Sequence, residues 1–194
     1  MSSIVPLLNG KYFHLYNKGI DGITLFHKKE DFNYFLKKYN KYIPLIAETF
    51  SYCLMNNHFH FLIKIKESEK IPLISNKKRY DPSRQFSHLF NAYSKWFNYK
   101  YGRKGPLLER PFKRKLIESE IYFKDLVVYI HTNPLHHGIT MDYSGYVWSS
   151  FRTFVKGNTN IISLSDTVSW FGNSKDFREY HEFRKEKILI EDDL

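Results

Sequence analysis

The sequence predicts an α+β fold of the ferredoxin-like βαββαβ kind, an antiparallel sheet packed with helices and followed by a helical C-terminal appendage. Three observations predict it. Phe59, Phe61, Ile63 and Ile65 alternate with His58, His60, Leu62 and Lys64, the period of a strand with one buried apolar face. Asn56-Asn57 separates this run from a second strand-like run, as the turn of a hairpin would. Helical stripes lie on either side of the pair, at Phe32, Phe35, Leu36, Tyr39, Ile43 and Ile46 and at Phe86, Leu89, Phe90, Tyr93 and Phe97.

The elements follow in order. Residues 11–17 are aromatic and extended, and stop at Lys18-Gly19: a first strand. A helix runs from Glu30, and Pro44 kinks or ends it. Strands over 49–55 and 58–66 come next, the second central and carrying both histidines. Residues 67–82 are polar and contain Pro72 and Pro82, which reads as a loop. The second helix is stopped by Gly102 and Gly105-Pro106. A strand over about 111–118 leads to a third helix, capped by the Ser119 hydroxyl and ending at Pro134. Glu118 and Glu120 favour that helix's N-terminus electrostatically. Residues 1–155 are read as one domain and 156–194 as an appendage, with one or two short helices over 161–190.

With 30 Lys and Arg against 20 Asp and Glu, the formal charge is +10, which calls for a polyanionic partner. The 15 Tyr and 17 Phe can stack on unpaired bases, although most such rings fill cores. Cys53, the single cysteine, excludes an intramolecular disulfide and suits buried filler better than a nucleophile. There is no basic-then-apolar leader and no stretch of membrane-spanning length, so the expected location is cytoplasmic.

His58 and His60 share one face of their strand, about 7 Å apart, and can grip one metal ion. Tyr129 and Asn133 are one turn apart on the third helix, so a phenol and an amide oxygen project together as nucleophile and ligand. Taken alone, Tyr129 also fits a core stripe with Tyr122 and Leu126. Between Lys95 and Lys115 stand eight basic residues and one acid, Glu109, with Trp96, Tyr99, Tyr101 and Phe112 interleaved. Lys95, Lys104, Arg110, Lys113, Arg114 and Lys115 are the expected DNA contacts. His14 either approaches the site or packs, and His27, His88, His131 and His181 have no partner signal.

The stretch Tyr52-Cys53-Leu54-Met55-Asn56-Asn57-His58-Phe59-His60-Phe61-Leu62-Ile63 resembles the "HUH" strand of single-tyrosine transposases of the IS200-like family. Tyr129-Ile130-His131-Thr132-Asn133-Pro134, Gly138 and Tyr146-Val147-Trp148-Ser149-Ser150 are similar to the REP-associated tyrosine transposase branch. Tyr12 to Gly19 and Gly105-Pro106-Leu107-Leu108 to Phe112 fit as well, so the resemblance spans about residues 10 to 155.

The resemblance implies Mg²⁺ or Mn²⁺ held by His58, His60 and Asn133, and attack by Tyr129 on single-stranded or hairpin DNA. The product would be a 5′-phosphotyrosine link with a free 3′-OH, made and resealed without ATP. Two positions depart from the family. Asn56 stands where proline is usual, and Leu135-His136-His137 where a Val-Arg pair usually follows Asn-Pro. Two other readings stand beside the transposase: a domesticated, non-catalytic hairpin-binding protein, and a hydrolytic metal-dependent nuclease. A structural zinc is disfavoured because the two histidines lack cysteine partners. A monomer is favoured over a homodimer.

Overall fold

In a computed structural model, the structure describes residues 5–156 and 161–185. Four strands form one antiparallel sheet: β1 (Tyr12–Lys18), β2 (Ala47–Leu54), β3 (His58–Ile65) and, later in the chain, β6 (Lys113–Ile117). Their spatial order is β2-β3-β1-β6, the arrangement expected when two βαβ units interleave. The histidine strand β3 is therefore internal, and β6 is an edge. Tyr16 lies opposite His60 and Lys18 opposite His58 across the β1–β3 pair.

Helices α1 (Lys29–Tyr42) and α2 (Pro82–Lys100) pack together on one face. Phe13 and Leu15 of β1 and Phe59, Phe61, Ile63 and Ile65 of β3 join Phe35, Tyr39, Phe86 and Tyr93 of the helices in one core. Both helices begin on carboxylates. Asp31 accepts from the backbone N–H of His27 and Lys28, and Asp81 caps α2 through the N–H of Arg84. Asp31, fully buried, also binds Lys100 at 2.6 Å and the Tyr101 hydroxyl, which ties the start of α1 to the end of α2.

The opposite face is covered by α3 (Glu120–His136) and the short helices α5 (Leu164–Ser169) and α6 (Ser174–Arg184), with α4 (Phe151–Lys156) beside them. Leu62, Phe50, Cys53, Leu126, Tyr129, Phe171 and Phe177 form a second core there. Every residue of α3 from Leu126 to Pro134 is buried, because the sheet lies on one side of the helix and α6 on another.

Two elements differ from expectation. The segment 67–82 is not a plain loop: β4 (Leu73–Ser75) and β5 (Lys78–Arg79) pair as a small hairpin. The third helix does not end at Pro134 but continues to His136, where Gly138, at φ +64°, turns the chain out. Proline removes one N–H near the helix end, and the N–H groups of His137, Gly138 and Ile139 bond back to Asn133, Leu135 and Pro134. Among the described residues no helix is long and apolar enough to cross a membrane.

Candidate active site

The turn at Asn56-Asn57 sets the site's position. The Asn56 carbonyl accepts from the N–H groups of Leu25 and Phe26, and the Asn57 carbonyl from Gly19. A side chain at Gly19 would place its Cβ 2.1 Å from the Ile23 carbonyl oxygen, so only glycine permits this close approach. Held there, β3 starts at His58 and turns His58 and His60 toward α3. Tyr129 meets His60 edge-on, with ring centroids 5.6 Å apart in the same chain. Asn133, one turn on, lies beside His58 and favours its protonated form, against the larger effect of burial.

Each imidazole is oriented by a neighbour. Asn57 Oδ1 lies 2.7 Å from His58 Nδ1, and an amide oxygen only accepts, so Nδ1 carries the hydrogen and Nε2 the lone pair. His60 Nδ1 lies 3.0 Å from His14 Nε2; donation from His60 leaves its own Nε2 as a lone pair too. Burial pushes His58 down to about 4, with help from His137 and Lys18. Burial also drives His60 far below its ordinary value, with His14, His58 and His137 adding to the effect. Both rings are neutral at pH 7, the form that binds metal.

Asn133 is fully buried, yet among the described residues neither of its side-chain atoms makes a well-formed hydrogen bond, and the same holds for His58 Nε2 and His60 Nε2. Buried polar atoms of this kind are rare unless a ligand completes them. Two imidazole nitrogens and an amide oxygen suit a divalent cation. Among the described residues no three His, Cys, Asp or Glu side chains gather into a metal site, so Asn133 is needed to make a third protein donor.

Two further residues belong to the site: His14, which the sequence left between approaching it and packing, and His137, which the sequence marked only as a departure from the family pattern. His14, which orients His60 and stacks against Tyr16 at 4.7 Å, is placed by the β1–β3 register. His137 packs edge-on to His58 at 4.7 Å, just past the helix end. His131 and His181, which showed no partner signal, are bonded to each other. His181 Nδ1 donates to the Phe177 carbonyl at 2.7 Å, so its Nε2 accepts from His131 Nδ1 at 2.9 Å, and His131 Nε2 accepts from Ser150 Oγ at 2.8 Å. This relay faces away from His60 and ties α6 to α3 and, through Ser150, to β2.

The six expected DNA contacts fall in different places. Lys113 and Lys115 lie on the histidine face of β6, Lys113 over the Tyr16 ring and Lys115 over that of Tyr122. Lys95, Arg110 and Arg114 line a groove on the α2 side, while Lys104 is exposed in the loop beyond α2.

The chain matches no family model and no curated protein. Among solved structures it is similar to a REP-associated tyrosine transposase bound to a REP hairpin. The TM-score is 0.61 and the identity 17%, over 83% of this chain and 90% of that one. The two share a fold, and that fold is the one expected from the motifs at His58–His60 and Tyr129–Asn133.

Proposed function

We propose that the protein is a single-tyrosine DNA transposase of the REP-associated branch, which cleaves and rejoins hairpin-flanked single-stranded DNA. The observation that carries this reading is the meeting of Tyr129 with His60, at 5.6 Å, beside His58 Nε2, His60 Nε2 and the Asn133 amide, buried atoms with no well-formed hydrogen bond among the described residues. The shared fold with a hairpin-bound transposase and the run of motif blocks support it.

In this mechanism His58, His60 and Asn133 would hold Mg²⁺ or Mn²⁺. The bound ion would polarise the scissile phosphodiester and offset its developing charge. The Tyr129 hydroxyl gives up its proton as its oxygen attacks phosphorus and forms the 5′-phosphotyrosine bond; the P–O3′ bond breaks and the released 3′-oxygen takes up a proton as a 3′-OH, so no net proton is gained or lost. Attack by that hydroxyl on the phosphotyrosine reverses the step, so the bond energy is kept. Lys113 and Lys115 hold phosphates on the same face. The meeting of tyrosine and histidines within one chain supports action as a monomer, and the DNA would be met in the cytoplasm.

The test is incubation with Mn²⁺ and hairpin oligonucleotides carrying unpaired flanks, read on a denaturing gel and by peptide mass spectrometry. A nucleotide adduct on Tyr129, absent from Tyr129→Phe, is expected. Cut DNA with no adduct would move the reading to a hydrolytic nuclease. Tight binding with neither cut nor adduct would move it to a binding protein.

A further inference from the structure

A groove of about 660 Å³ runs between α2 and the loop 105–112, on the opposite face of the sheet from Tyr129. Three cations line it: Lys95, Arg110 and Arg114. Among the described residues none of the three is in an ion pair with a carboxylate. Arg110 is held by the Asn91 amide oxygen at 3.1 Å and Arg114 by the Ser83 hydroxyl at 3.1 Å. The Arg114 guanidinium also lies over the Phe112 ring at 4.6 Å, and its Nε is buried with no hydrogen-bond partner among the described residues. A half-buried guanidinium with neutral partners and no anion is costly unless an anion arrives from outside. The one acid at the groove, Glu109, faces Lys18 at 3.8 Å.

The rest of the wall is short and uncharged. Ser87, Asn91 and Ser94 follow one another along α2, offering hydroxyl and amide groups at the spacing of one helix face. Phe112, partly exposed, supplies a flat ring, with Phe90 buried behind it. Cations for phosphates, small polar groups for base edges and aromatic faces are what an unpaired strand requires.

The groove meets the histidine pocket at Asn17 and Glu109, which line both. Lys113, Arg114 and Lys115 follow one another on β6, and successive strand residues point to opposite faces. A ligand touching all three must pass round the open edge of the sheet. Duplex DNA, with a persistence length of about 150 base pairs, resists so sharp a bend, whereas an unpaired strand follows it.

We propose that this groove is a second DNA site, which takes the unpaired segment next to the hairpin and leads it over the edge of β6 toward Tyr129. The inference rests on the single-strand reading above and adds the residues that hold the flank, Arg110 and Arg114, and a face of α2 that reads its bases.

The experiment measures binding alone, by fluorescence anisotropy in EDTA, so that cleavage plays no part. A hairpin with an unpaired mixed-sequence flank of about six nucleotides, on either its 5′ or 3′ side, is compared with the blunt hairpin. One of the two flanks is expected to tighten binding about ten-fold, a gain of the size that one or two phosphate contacts and a stacked base provide. Arg114→Gln, Arg110→Gln and Ser87→Trp, which fills the groove, should each lose most of that gain, read as the ratio of flanked to blunt hairpin affinity within each variant. Arg110 and Ser87 are exposed, so their variants keep the test valid if Arg114→Gln folds poorly. No gain from either flank, or a gain that survives Arg110→Gln and Ser87→Trp, overturns the proposal. A flank-dependent gain without any tyrosine adduct supports the groove and removes only the catalytic reading. Failure to bind any of these DNAs overturns both.

Discussion

The buried histidines make this protein sensitive to mild acid, and the size of the effect follows from their surroundings. His58 is lowered by burial from an ordinary value of 6.5 to about 4, and His181, also through burial, from 6.5 to about 4. Between these limits the unfolded chain takes up a proton at each site and the native state does not. The unfolded state therefore binds more protons, and stability falls as the pH drops from 6.5 toward 4. At ~1.4 kcal/mol per unit, each residue removes ~2 kcal/mol at pH 5, or ~4 kcal/mol for the pair. His14, His60 and His131 are lowered in the same direction, so this sum is a lower bound.

A loss of that size is a large share of an ordinary folding free energy of ~5–15 kcal/mol. Urea denaturation, followed by far-UV circular dichroism in EDTA, should show the midpoint dropping by about 1.5 M between pH 7.5 and pH 5, with m near ~2.5 kcal/mol/M. The window isolates the histidines, because Asp31 and Glu182, which burial raises but hydrogen bonds bring below ordinary values of 3.8 and 4.5, lose their contribution only at lower pH. His181→Gln should flatten the dependence. A midpoint that moves by less than about 0.3 M would refute the argument, since the rings would then be protonated as readily in the fold as outside it.

Three further outcomes follow from single contacts. His131→Phe keeps the volume but leaves Ser150 Oγ and His181 Nε2 without their mutual partner, and should cost ~2–4 kcal/mol in the same urea experiment at pH 7.5. Asp31→Ala removes the acceptor for two backbone N–H groups, Tyr101 and Lys100, and should lower stability by ~3 kcal/mol, read as a fall in Tm of about 10 °C. Replacing Lys113 and Lys115 together by Gln should reduce the slope of log affinity against log salt by about 1.4 for single-stranded DNA, with both charges lost from the histidine face.

What could be read from the chain followed from local periodicity. The alternation through β3 put His58 and His60 on one face, and the i, i+4 spacing put Tyr129 with Asn133; the structure brings the two pairs together. For His14 the sequence left approach to the site and packing both open, because its role depends on strand pairing across 46 residues, which no local pattern encodes. The His131–His181 bond spans 50 residues and was missed for the same reason. One signal went unused. Val127, Val128 and Ile130 make α3 apolar on several sides at once, and such a helix has to be covered on several sides, as α6 covers it here. The basic run from Lys95 to Lys115 was visible as a density of charge, but the alternation of β6 divides it between two faces.

That division and the acid sensitivity arise from one physical demand. Imidazole nitrogens that are to offer lone pairs at neutral pH must be kept unprotonated, and here burial beneath α3 does so, with Lys115 adding to the effect on His14 and Lys18 to that on His58. A polyanion needs the reverse, cations that stay in reach of water, and these stand along the exposed rim at Lys113 and Lys115. The two requirements can meet only where an edge strand passes beside a covered pair of strands. β6 lies next to β1, β1 next to β3, and the sheet order places charge at the rim two strands from His60. Moving the histidines to β6 would raise their proton affinity and flood the donors with water. Moving the lysines to β3 would bury unpaired cations under Tyr129, at a cost of several kcal/mol each.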